Sequence, residues 1–183
     1  LKRRETYGTS GDRMLLWFYL ANGPGGARLP MGAETGMSET PRFEVTAAGA
    51  LKQKPGCPAD TVARAPRGFV DRRCFGECYN PTDERHGISR IEVIRIRPQL
   101  SDDEPLEKLI DDPWKVLACP SSPEGCAVSF EDPDFVSGKR LAAYYVRAIQ
   151  EPTPQVNAGG LRCTLDANGN CTSIRPCYTG HRG

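Results

Sequence analysis

The chain has 183 residues, of which 38% are apolar, and a formal net charge of +1 with acidic and basic residues interspersed. This balance argues against nucleic acid or an anionic membrane as the main partner, because both favour a concentrated basic face. No apolar run approaches the ~18 residues of a membrane-spanning helix. With 19 glycines and 16 prolines, we expect a thin core and long loops.

The first residues predict a helix end followed by a turn. Leu1–Glu5 reads LKRRE, with basic residues where the negative end of a helix dipole favours them, so we expect the chain to be a piece of a larger protein. Residues 6–13 read TYGTSGDR, and the N–H groups of such a glycine-bearing segment can cradle an anion. The alternative is a tight helix-to-strand turn without a ligand. The candidate anion-binding residues are Thr9, Ser10, Gly11 and Arg13.

Strand patterns follow in the first half of the chain. Arg13–Ala21 (RMLLWFYLA) is a nearly continuous apolar run, which predicts a strand covered on both faces. Arg42–Thr46 alternates, with Phe43 and Val45 facing inward. Residues 50–89 are irregular and cysteine-bearing, and a loop of this length is typically functional or cross-linked.

Arg90–Arg97 (RIEVIRIR) predicts a strand whose apolar phase changes along its length. Ile91 and Val93 share one face, whereas Ile94 and Ile96 lie on the other. Such a change of phase indicates either a β-bulge or a strand that is apolar on both sides.

The second half predicts one short helix and further strands. Pro105–Asp112 has helical spacing and is ended by Pro113. Trp114–Ala118 and Ala127–Phe130 read as short strands, and Arg140–Ile149 reads as a strand because its Tyr-Tyr-Val centre favours that state. Together, the elements predict a mainly β fold: an antiparallel β-sandwich-like domain of six or seven strands with long disulfide-bearing loops.

A hairpin is predicted for Arg162–Ile174 around Asn168-Gly169, a strong turn pair. Asp166, Asn168 and Asn170 also imitate the start of a calcium loop, but the later glycine and glutamate that such a loop requires are absent.

Eight cysteines, mostly in loops rich in Pro, Gly and Asn, indicate a disulfide framework and hence the periplasm or the cell exterior. We predict that Cys119 pairs with Cys126 across a short loop. Cys57 is expected to pair with Cys74 or Cys78, and two of the three C-terminal cysteines with each other. The disulfide candidates are Cys57, Cys74, Cys78, Cys119, Cys126, Cys163, Cys171 and Cys177.

Two metal sites remain as alternatives. Cys74 and Cys78 have a spacing that suits zinc, with His86 as a third ligand. An acidic cluster offers hard oxygen ligands for Ca²⁺; its members are Glu131, Asp132 and Asp134. The favoured alternative is an Asp-Pro-Asp turn that leads into a strand.

The familiar catalytic motifs are missing from the sequence, including the nucleophile elbow, the zincin helix, the Walker loop and the dinucleotide fingerprint. The two histidines, His86 in a polar loop and His181 in a tail, read as solvated surface residues. We therefore expect no catalytic centre and no cofactor on this chain.

Three segments carry a resemblance to a known family. LKRRETYGTSGDR resembles the ALKRRExYxTSGxR segment of a large bacterial family of mostly secreted proteins, domain-of-unknown-function family 3604. DPDF at 132–135, YYVR at 144–147 and PTP at 152–154 resemble that family's signature in order and spacing. LRC at 161–163 and PCY at 176–178 resemble a cysteine-bearing branch.

The resemblance implies an upstream barrel similar to the PHP (polymerase and histidinol phosphatase) metallohydrolases, in which a divalent metal activates water to cleave phosphoester or other ester bonds. Residues 1–22 would be the end of that barrel and a linking strand, with Thr9, Ser10, Gly11 and Arg13 at its lip. Residues 23–183 would form a C-terminal β-rich domain that serves as scaffold, with the barrel of its own polypeptide as partner. The alternative is a non-catalytic β-sandwich binding or structural module of the bacterial cell envelope.

Overall fold

A computed structural model describes residues 1–74, 78–153, 163–168 and 171–174. The chain divides into two compact units, one of residues 1–50 with 85–151 and the other of residues 51–84 with 152–183. The described strands are β1 (Leu15–Gly23), β2 (Ala27–Pro30), β3 (Arg42–Ala48), β4 (Leu51–Gln53), β5 (Pro81–Arg85), β6 (Ile88–Ile96), β7 (Ile110–Ala118), β8 (Cys126–Glu131), β9 (Ala143–Gln150), β10 (Cys163–Leu165) and β11 (Cys171–Ile174). The α-helices are α1 (Ala59–Arg64) and α2 (Asp134–Gly138).

The first unit contains two antiparallel sheets. One has four strands in the order β2-β1-β3-β8, and the other has three in the order β7-β6-β9. Phe43, Val45 and Phe130 of the four-stranded sheet share one buried cluster with Ile91 and Val93 of the three-stranded sheet. The fold is therefore mainly β and β-sandwich-like, as the sequence predicts.

Aromatic side chains fill the part of the core near Phe43. The Phe43 ring centroid lies 4.9 Å from that of Phe130 in the neighbouring strand and 5.5 Å from that of Phe18. Tyr144 of the opposite sheet lies 4.6 Å from Phe43. Each tilted or stacked pair at these distances adds about 0.5–1.5 kcal/mol to the stability of a core, beyond the contribution of the apolar area that it buries.

Strand β1 has an inner and an outer face. Phe18 is buried and Leu16 and Leu20 are half-buried, whereas Trp17 is 40% exposed. Our expectation that both faces are covered was wrong, because only the even-numbered side chains point to the opposite sheet. On the outer face, the Arg28 guanidinium lies 3.5 Å from the centre of the Tyr19 ring.

Strand β6 is apolar on both sides over most of its length. Ile91, Val93 and Ile94 are fully buried although Ile94 faces away from the other two. Its register shifts against β9 between Ile88 and Arg90, and against β7 between Val93 and Arg95, where the apolar phase changes. Both features that the sequence leaves open are therefore present: an irregularity at the phase change and a strand that is apolar on both faces.

Two elements differ from expectation. Residues 1–4 form one turn closed by a hydrogen bond from Arg4 N to Leu1 O, with φ 57° at Arg4, and not a helix end. The helix expected over Pro105–Asp112 is limited to a 3₁₀ turn at Leu106–Lys108, and Pro113 lies within β7. A proline fits there because β7 is an edge strand.

The boundary after residue 22, between the end of an upstream barrel and a C-terminal β-rich domain, stays a prediction. The strand that we assigned to the end of a barrel is β1, which pairs with β2 on one side and β3 on the other. This strand is thus an integral part of the four-stranded sheet.

The second unit, taken by itself, contains short elements. Strands β4 and β5 form a two-stranded sheet, and an ion pair of 3.1 Å joins Lys52 to Glu84. Helix α1 is followed by a π-helical turn at Val70–Cys74. Strands β10 and β11 pair antiparallel, which confirms the predicted hairpin, although Gly169 of its turn lies outside the described residues. In the described part of the chain, no helix is long and apolar enough to cross a membrane.

Candidate functional site

The first unit carries a groove of about 1120 Å³ beside the core. It is lined by side chains of β1, β3 and β9 and by the connection between β2 and β3. The apolar and aromatic lining residues include Leu16, Leu20, Met31, Phe43, Tyr144 and Val146. A concave, mainly apolar site of this size is the usual form of a ligand or peptide site.

The charges that line the groove are already paired within the chain. Arg4 Nη1 lies 2.6 Å from Glu34 Oε1. Arg97 Nη2 lies 3.3 Å from Asp111 Oδ2 and also donates to the carbonyl oxygen of Lys108. The groove therefore offers a mainly apolar surface whose charges are paired, although the buried Nε of Arg97 has no hydrogen-bond partner among the described residues.

A buried polar cluster adjoins the groove through Tyr144. Arg95 Nη1 lies 3.1 Å from both carboxylate oxygens of Asp132, and Arg95 Nε donates to Asp111 Oδ2 over 3.0 Å. The Tyr144 hydroxyl donates to Asp132 Oδ2 over 2.6 Å. The Arg95 guanidinium also lies 4.4 Å from the centre of a Trp114 ring. Each buried charge thus has an opposite charge and hydrogen bonds, as burial requires.

The cluster shifts two pKa values. Burial raises the pKa of Tyr144 well above its ordinary value of 10.0, and the hydrogen bond to Asp132 acts in the same direction. Burial works to lower the pKa of Arg95, but hydrogen bonds to Asp132 and Asp111 outweigh it, so that pKa is raised. Tyr144 is therefore a hydrogen-bond donor at neutral pH and not a general base.

The four residues that we singled out near the N-terminus are exposed. Thr9, Ser10, Gly11 and Arg13 lie in the loop before β1. The side chains of the same segment that line the groove are instead Thr6 and Tyr7, and the Tyr7 hydroxyl donates to Met14 O over 3.1 Å. An anion-binding or barrel-lip role for the four residues stays a prediction.

Within the acidic cluster of 131–134, Asp132 is engaged in structural contacts. Both oxygens of Asp132 accept from Arg95, and Oδ1 also accepts from the backbone N–H of Asp134 over 3.1 Å. Helix α2, and not a strand, follows directly. Over the residues that the structure describes, no group of three His, Cys, Asp or Glu side chains is placed to hold a metal ion. The calcium alternative is therefore not supported at Asp132.

Two disulfides are present in the described residues. Cys119 bonds to Cys126, as predicted, and Cys57 bonds to Cys78. The zinc alternative fails because Cys78 is oxidised. The side chains of Cys74, Cys163 and Cys171, and the whole of Cys177, lie outside the described part. The bridges indicate an oxidising, extracytoplasmic environment.

Of the two histidines, the structure describes His86. His86 is half-buried, and its backbone N–H donates to Ala50 O over 2.9 Å. His181 lies outside the described residues. In the hairpin, the N–H of Asn168 donates to Asp166 Oδ1 over 2.8 Å, which is the hydrogen bond of an Asx turn.

Comparisons of the chain with protein-family models, with curated proteins and with solved structures found no match.

Sequence reasoning missed Arg95 and the groove. The signal for Arg95 was available, because it alternates with Ile91 and Val93 and so shares their inward face. The groove has no comparable local signal, since its lining comes from segments far apart in the chain.

Proposed function

We propose that this chain is the β-rich, non-catalytic part of a secreted or periplasmic bacterial protein that resembles PHP-type metal-dependent hydrolases, and that it serves as a scaffold. A scaffold role is supported by the ion pairs and hydrogen bonds that residues of the resembling motifs make within the chain. Asp132 of the DPDF segment binds Arg95 and Tyr144. Arg147 of the YYVR segment binds Asp112 and, over 3.1 Å, Glu92.

Side chains bound in this way are not free to ligate a metal or to activate water. A reaction of the intact protein would therefore take place on residues outside this chain, where a divalent metal would activate water for attack on an ester. The contribution of this chain is a rigid support, strengthened by buried ion pairs and by disulfides.

The test compares this 183-residue chain with the intact gene product. Bound metal is measured by mass spectrometry, and hydrolysis is measured on a panel of phosphoesters and carboxylic esters. We expect neither metal nor turnover for the chain, and both for the intact protein, with turnover abolished by a chelator. Turnover by the chain alone would contradict the scaffold role.

A second candidate is a non-catalytic binding or structural module of the cell envelope, and the apolar groove favours it. The same measurements separate the two candidates. An intact protein without metal, without turnover and without a His-x-His barrel upstream would favour the module.

A further inference from the structure

The two sheets of the first unit differ in width, and the groove lies where they differ. Four strands face three, and the inner side chains Leu16 and Leu20 of β1 are only half-buried, whereas Phe43 and Val45 of β3 are buried. Leu16 and Leu20 line the groove, as do Tyr144 and Val146 of β9. The inner face of β1, on which Phe18 is buried but Leu16 and Leu20 are only half-buried, is therefore next to the outermost strand of the narrower sheet.

Strand β9 is the open edge of that sheet. Within the described residues it pairs with β6 alone, so its second row of backbone groups has no strand partner. It is eight residues long, has no proline and carries one charge, Arg147. The other edge strand, β7, contains Pro113 and three charged residues, which are ordinary protections against strand addition. Strand β9 lacks such protection.

We propose that β9 binds an extended, uncharged and mainly apolar segment of a separate polypeptide, which adds as a fourth strand and covers the inner face of β1. Backbone hydrogen bonds to β9 would supply affinity, and alternate side chains of the added strand would fill the groove. Charge favours an uncharged segment, because Arg4, Glu34 and Arg97 are already in ion pairs.

The volume of the groove fits a single strand. A strand within a sandwich occupies roughly 160 Å³ per residue, from its spacing, rise and share of the distance between sheets. The groove of about 1120 Å³ is therefore large enough for several residues of an extended segment. The groove is also lined by Arg4, Thr6, Tyr7 and Pro30–Met37, which an added strand would contact. This binding does not depend on the scaffold role, and it gives a ligand class to the binding module, which the same groove favours.

The probe is a capped eight-residue peptide of alternating valine and threonine with a fluorophore, titrated with the 183-residue chain and followed by anisotropy. The control peptide has alternate backbone nitrogens methylated, which removes donors and keeps the side chains. We expect the control to bind at least tenfold more weakly, because methylation removes the backbone donors that would pair with β9. Amide hydrogen exchange should slow in Ala143–Val146 when the parent peptide binds.

A matched pair of variants places the site. Leu141 is 78% exposed and lines the groove, and Leu100 is 72% exposed and does not. We expect Leu141→Lys to weaken peptide binding by about fivefold, because a hydrated ammonium would stand at an apolar site, and Leu100→Lys to leave binding unchanged. No binding, or equal binding of the methylated peptide, would overturn the proposal. A dimer that protects β9 without peptide would assign the edge to a second copy and overturn it as well.

Discussion

Arg95 and Asp132 form a bridge between the two sheets of the first unit. Arg95 belongs to β6 of the three-stranded sheet, and Asp132 directly follows β8 of the four-stranded sheet. Only 9% of the Arg95 side chain and 2% of the Asp132 side chain are exposed. Removing one partner of this ion pair greatly lowers the unfolding free energy, because the other partner would remain as an unpaired buried charge.

The first prediction concerns Asp132→Asn. We expect this variant to lose roughly 3–5 kcal/mol of unfolding free energy, because Arg95 would lose its most buried counter-charge. Asp134→Asn is the matched control: its side chain is 76% exposed and lies 3.9 Å from Arg95. We expect the control to change stability by less than about 0.5 kcal/mol. Urea unfolding followed by tryptophan fluorescence measures the unfolding free energy of both variants. Equal losses would show that the buried ion pair contributes no more to stability than the exposed side chain of Asp134.

A second prediction follows from the raised pKa of Tyr144. A hydroxyl whose pKa is higher in the folded than in the unfolded state retains its proton in the fold, so its contribution is fully present below pH 10 and decreases as the pH rises beyond it. We expect unfolding free energy to fall above about pH 10, and the fall to be smaller in Tyr144→Phe. Tyr145→Phe, on a half-exposed neighbour, is the control. If the unfolding free energy fell equally with pH in the wild type and in Tyr144→Phe, the assignment of this fall to Tyr144 would be contradicted.

The third prediction concerns the two disulfides. Cys119 and Cys126 are separated by 7 positions and Cys57 and Cys78 by 21. A disulfide that lowers the conformational entropy of the unfolded chain stabilises the fold more when its loop is longer. Replacing the first pair by alanines is then expected to lower the unfolding free energy by roughly 2.5 kcal/mol, and replacing the second pair by slightly more. Guanidinium unfolding of the two double variants tests the order. A much larger loss for the shorter loop would indicate that the native contacts of the bridge matter more than chain entropy.

The sequence predicted which residues form the core strands better than it predicted which residues contact each other across the core. Phe43 and Val45 were expected inward and are buried, since alternation is a local property of β3. The pairing of Cys119 with Cys126 was equally local. The contact between Arg95 and Asp132 was not predictable in this way, because 37 positions separate the two residues. No spacing rule shows which strands will face each other across a core.

The fourth prediction concerns Gly125, which precedes Cys126 in the short disulfide loop. Its φ is +96°, and an added Cβ would lie 2.4 Å from the carbonyl oxygen of Ala47 in β3. We expect Gly125→Ala to destabilise the fold by roughly 2–4 kcal/mol, from backbone strain together with the clash. Gly25→Ala is the control, since Gly25 also has a positive φ of +68° but meets nothing within 4 Å. Thermal unfolding should separate the two, and equal losses would mean that the close approach to β3 is relieved without cost.

Strand β8 is attached to the opposite sheet at both ends. Its first residue, Cys126, forms a disulfide with Cys119, which directly follows β7. Asp132, which directly follows β8, forms an ion pair with Arg95 of β6. An edge strand held by a covalent bond at one end and an ion pair at the other is a poor candidate for domain swapping, because both attachments must be broken before it can leave. Exchange of strands between molecules is therefore suppressed at the β8 edge of the sandwich.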